Sequence, residues 1–136
     1  MAIQYSVALR NAELDTLEDP LPGYSVGALL RMYSGSAPAS TDTAATGTLL
    51  VDMTLPTDWM AAASGGTKQK LGTWSATAAA SGNAGYFRIC KPGGDQPCII
   101  QGTIGTSSAD LIMDSVSLSA GQTVSLSTFT ITAGQA

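Results

Sequence analysis

The chain has 136 residues, six basic against ten acidic for a net charge of −4, and no histidine. That length makes one domain, and the missing histidine excludes Ser-His-Asp and Cys-His catalysis, histidine zinc ligation and histidine pH switching. The basic residues Arg10, Arg31, Lys68, Lys70, Arg88 and Lys91 are scattered, so the phosphate-contacting stripe of a nucleic-acid binder is missing and no nucleic-acid partner is expected.

Residues 5–18, "YSVALRNAELDTLE", predict the only helix. Val7, Arg10, Leu14 and Leu17 share one side, with Tyr5, Leu9 and Ala12 beside them. Ser6 is placed to cap its start, and Glu13, Asp15 and Glu18 fall on the outer face. Pro20, Pro22 and Gly23 then end it. Arg10 and Glu13 also interrupt this stretch as a signal peptide, and no apolar run nears the roughly 20 residues of a membrane span. Synthesis in the cytoplasm without a membrane partner is expected.

From Gly27 the hydrophobic period changes from helical to two. "LLRMYSGSAPA" predicts a strand ending in a Ser-Gly turn. In "GTLLVDMTLP" Leu49, Val51, Met53 and Leu55 face one way, with Thr48, Asp52 and Thr54 on the other side. "LGTWSATAAA" is a weaker strand of small side chains. "GYFRIC" and "CIIQGTI" flank a Gly/Pro turn, and "ADLIMDSVSL" places Leu111 with Met113. In "QTVSLSTFTITA" the apolar phase shifts from Val124 and Leu126 to Phe129 and Ile131, which predicts a bulge or a crossing between sheets. The expected fold is all-β: a single β-sandwich or jelly roll of about seven to eight antiparallel strands in 24–136, preceded by a short helical arm in 1–23.

Each candidate site is weighed against a plain structural role. "SGGTKQKLG" fails the spacing of a phosphate loop and is expected to be a flexible loop carrying two exposed lysines, Lys68 and Lys70. Asp110 and Asp114 are four residues apart on a strand, too far to chelate one ion. The only glutamates, Glu13 and Glu18, lie on the helix, which leaves little for carboxylate-pair chemistry. No cofactor, metal or catalytic residue is expected, so the protein is read as a non-enzyme. Trp59 and Met60 either cap the core or anchor an interface. The helix either covers a sheet edge or reaches a neighbouring subunit through Tyr5, Leu9, Leu14 and Leu17.

Cys90 and Cys98 flank the turn Lys91–Pro97 in "YFRICKPGGDQPCII", at opposing ends of two strands. With no third cysteine and no histidine they lack the ligands for a metal site, and their spacing is not a C-x-x-C redox motif. They are either a reduced pair or a disulfide formed late. The reduced form is expected at assembly.

"IQYSVALRNAELD", "LLRMYSGSAPA", "LLVDMTLPTDWMAAASGG" and "VSLSTFTITAG" together resemble a family of small tailed-phage virion structural proteins, most closely capsid cement (decoration) proteins. The likeness runs from Ile3 to Gly134. It implies a jelly-roll body on the outside of an icosahedral shell, bound to the major capsid protein and self-associated as a dimer or trimer. It brings no catalytic residues. The contacts expected on this reading are Tyr5, Leu9, Leu14, Leu17, Trp59, Met60, Lys68 and Lys70. The alternatives are a ring-forming tail or neck component and a host-surface carbohydrate-binding module, for which aromatic residues are few.

Overall fold

A computed structural model describes residues 6–15, 28–41, 43–56, 59–90 and 98–132. One helix, α1 (Val7–Asp15), precedes strands β1 (Leu29–Ser34), β2 (Leu49–Thr54), β3 (Thr67–Gln69), β4 (Trp74–Thr77), β5 (Gly82–Cys90), β6 (Cys98–Gly105), β7 (Leu111–Ile112), β8 (Ser117–Leu118), β9 (Thr123–Leu126) and β10 (Thr130–Thr132). The all-β expectation holds for these residues. There are ten strands among them where the periodicity shows seven or eight. The surplus comes from segments of two or three residues, too short to show alternation.

The main sheet runs β2-β1-β5-β6-β7, with β8 pairing the start of β5. Its pairs are antiparallel except β6 with β7, which is parallel, so the expected purely antiparallel arrangement is corrected. Two further sheets have two strands each, β10 with β3 and β4 with β9. The phase shift seen in "QTVSLSTFTITA" marks the crossing between them. Val124 and Leu126 belong to the β4–β9 sheet, and after Phe129 the chain joins the β3–β10 sheet.

One core joins these sheets. Leu30, Met32, Val51, Met53, Phe87 and Ile89 line the inner face of the main sheet. They cluster with Trp59, Trp74, Val124, Leu126 and Phe129. β1 and β2 slip register between Met32 and Tyr33, which turns Leu50 inward beside Val51. At Gly85 a side chain would collide with the backbone of Gly35, so glycine is required where β5 passes the end of β1.

The outer face of the main sheet is covered too. On β5, Tyr86, Arg88 and Cys90 point away from the core and are nonetheless buried. Pro38, Ser40, Thr43 and Thr46, from the excursion between β1 and β2, lie over them as a strap. Tyr86 Oη binds Thr46, Arg88 Nη2 donates to the Ser40 and Thr43 carbonyls, and Gln101 Nε2 donates to the Pro38 carbonyl at 2.8 Å.

Candidate functional site

α1 is short for a free helix, since isolated helices below roughly 12–15 residues are marginal. Glu13 and Asp15 sit at its C-terminal end, where the helix dipole disfavours negative charge. Ser6 caps the start as expected: its Oγ accepts from the Leu9 N–H at 3.1 Å, and its carbonyl from the Arg10 N–H at 3.0 Å.

The helix docks on the turn before β3 through polar residues. The Gly66 N–H donates to Asn11 Oδ1 at 2.8 Å. Gly66 has φ +79°, and a Cβ there would lie 2.7 Å from Arg10 Nη1. Val7 and Leu9 remain 46% and 47% exposed. A helix that only covered its own core would bury its apolar stripe and turn polar residues outward. Here Arg10 and Asn11 hold the body and two large apolar side chains face solvent. Leu14 lies on α1 with its side chain outside the described residues, as are Tyr5 and Leu17 entirely.

Trp59 and Met60 are core residues, 0% and 1% exposed. The Trp59 ring centroid is 6.0 Å from that of Trp74, Trp74 is 5.5 Å from Phe129, and Phe129 is 5.5 Å from Phe87. Backbone bonds from Leu71 N to Trp59 O and from Ala61 N to Gln69 O lay this segment beside β3 and turn Trp59 inward. Of the two readings of this pair the structure supports the core one, because a side chain without free surface has none to offer a partner.

The lysine expectation is corrected. Residues 67–69 form β3 rather than a flexible loop, and strand alternation turns Lys68 inward to 2% exposure. Lys70 is half-buried. Its Nζ donates to the Gly72 carbonyl at 2.7 Å and sits 5.8 Å over the Trp74 ring, a cation–π distance.

A polar row crosses the outer face of the main sheet. Asp52 of β2 opposes Arg31 of β1, Arg31 opposes Arg88 of β5, and Arg88 opposes Gln101 of β6. Arg31 forks onto Asp52, Nε to Oδ1 at 3.2 Å and Nη2 to Oδ2 at 3.3 Å. Burial works against the Arg31 charge, yet the bonds to Asp52 and the neighbouring Tyr33 outweigh it and raise its pKa above the ordinary arginine value. Beside the row Tyr33 stacks on Tyr86 at 5.1 Å. The periodicity of "YFRIC" marks Arg88 as outward-facing, but nothing local to it announces the strap that buries it.

Cys90 is buried and disulfide-bonded, and the chain's other cysteine, Cys98, stands opposite it in the β5–β6 register. Asp110 is spent internally: its Oδ2 accepts from the Thr103 N–H at 2.9 Å and lies 3.2 Å from Thr103 Oγ1. Among the described residues no three His, Cys, Asp or Glu side chains gather at one point. No described helix is long and apolar enough to cross a membrane. All described aromatic side chains are buried, so none of them forms a stacking platform for sugar.

No protein-family model, curated protein or solved structure matches this chain.

Proposed function

We propose that this protein is a tailed-phage virion structural protein that acts by binding, as a capsid cement protein on the outside of the shell. The observation that carries the reading is the orientation of α1, docked through Arg10 and Asn11 with Val7 and Leu9 left to solvent. A weakly charged, hydroxyl-rich chain supports it, since such surfaces pack against neighbours with little repulsion. In this reading the β body is a rigid jelly-roll sandwich, and the helix lays its apolar side on the major capsid protein. A specific contact of this kind buries roughly 1,200–2,000 Å². Copies linked as dimers or trimers would bridge capsomers, so modest affinity per copy suffices.

The test is deletion of residues 1–18 followed by decoration of bare capsids. None of α1 belongs to the described core cluster, so the truncated body is expected to stay folded while occupancy of the shell is lost. Full occupancy by the truncated protein defeats the proposal.

A further inference from the structure

Strand β6 loses its outer neighbour partway along. Successive residues of an antiparallel strand turn their main-chain groups to alternate sides. On β6 the odd-numbered residues turn away from β5. The Gly105 carbonyl accepts from the Met113 N–H at 2.9 Å, and the Thr103 N–H donates to Asp110 Oδ2 at 2.9 Å. Gln101, two residues earlier, therefore turns its N–H and C=O the same way, off the sheet. β7 covers this edge at Ile104 and Gly105, and Asp110 caps it at Thr103. No described residue pairs with the main chain of Gln101.

The open stretch is also undefended. Sheets blunt their edges with charge or proline, and β6, "CIIQGTIG", holds neither. Beside it lies a cavity of about 430 Å³ lined by Phe87, Ile100, Asp110, Phe129 and Ile131. Ile100 and Gly102 oppose Ile89 and Phe87 in the register, which places both on the core side of the sheet. At Gly102 a Cβ would stand 2.9 Å from the Phe87 ring, so the bare main chain passes against that ring.

The geometry points to a second copy of this chain on this edge, its β6 laid antiparallel to the first about a twofold axis at Gln101. Gln101 then opposes itself, and the two copies exchange the N–H···O bonds that one copy leaves unmade. Ile100 of each copy comes opposite Gly102 of the other, where no side chain stands between it and the Phe87 cavity. A twofold contact must be self-complementary. A charged residue on the axis would meet its own charge, whereas Gln101 is neutral, and the large Ile100 faces the small Gly102. A foreign strand could use the same main chain, but nothing in this uncharged edge selects one. As the way copies pair before bridging capsomers, the contact rests on the shell-binding reading, yet it is measured without a shell.

The test uses the full chain in the absence of capsids. Sedimentation is expected to show a dimer that fills as concentration rises. Amide exchange at Gln101 is expected to slow with it, whereas the Thr103 amide, held by Asp110 within one copy, is protected throughout. Gln101→Pro removes an N–H that β5 does not use, so an edge strand tolerates it. With two bonds lost per dimer, it is expected to pair about tenfold or more weakly. Ile100→Lys keeps every main-chain group and brings a charge to the contact, and is expected to weaken pairing as well. A monomer at every concentration, a dimer whose Gln101 amide exchanges as fast as the monomer's, or full pairing by a folded Gln101→Pro protein would overturn the proposal. So would a monomer whose Gln101 amide is protected only on capsids, which would assign the edge to a strand of the shell. Each of these failures leaves binding through α1 to be judged by the deletion of residues 1–18.

Discussion

Tyr86 and Thr46 are joined twice: the phenol donates to the Thr46 carbonyl at 2.6 Å and accepts from the Thr46 N–H at 2.9 Å. One side chain on the central strand thus satisfies both main-chain polar groups of a residue forty positions earlier, and pins the far end of the strap. Tyr86→Phe keeps the stacking on Tyr33 and removes both bonds. The loss is expected to cost about 1–3 kcal/mol, because two main-chain groups lose their partner. Urea unfolding measures the cost, and faster amide exchange at Thr46 locates it.

Trp59 and Leu9 separate stability from binding. Trp59→Ala empties the centre of the aromatic chain and is expected to cost about 3–5 kcal/mol. Leu9→Ser changes an exposed position and is expected to stay within about 0.5 kcal/mol of wild type, while capsid decoration weakens. Denaturant midpoints and a capsid pelleting assay read the two effects. The contact reading fails if Leu9→Ser decorates as well as wild type.

Gly66→Ala tests the docking of α1. Its positive φ costs a side chain about 1–2 kcal/mol, and the new methyl meets Arg10. The expected result is an arm that a protease cuts more readily, with the β body intact. Equal cutting rates in mutant and wild type would show that the Gly66 contact does not hold the helix.

Cys90 is expected to resist alkylation in the unreduced protein. Closing a loop from Cys90 to Cys98 restricts the unfolded chain, so reduction is expected to lower stability by about 2–3 kcal/mol. Intact mass after alkylation, with and without reductant, checks the first statement, and melting in reductant the second. Of the two states open to the pair, reduced at assembly or a disulfide closed later, the structure holds the disulfide.

The strands were legible wherever one face meets the core and the other meets water, as at Met53 beside Thr54. The phase shift between Leu126 and Phe129 was legible too, since alternation fails where a chain changes sheets. Burial created by distant segments was not. Lys68 and Arg88 look like surface cations in any local window, yet a three-residue strand turns one inward and the strap carrying Ser40 and Thr43 covers the other. Trp59 stayed open between core and contact for the same reason, because its burial depends on Trp74 and Phe129, elsewhere in the chain. At the helix, periodicity located the cap at Ser6 but not which side would meet the body, since a hydrogen bond from Gly66 decides it.

The run from Thr123 to Thr132 serves two sheets, and this gives the molecule a load path. A pull on α1 enters at Gly66, passes along β3 to its partner β10, and continues through the backbone into β9 and across to β4. There it meets Trp74, packed between Trp59 and Phe129. Tension on the arm is thus shared by two ladders of main-chain bonds before it strains the aromatic centre.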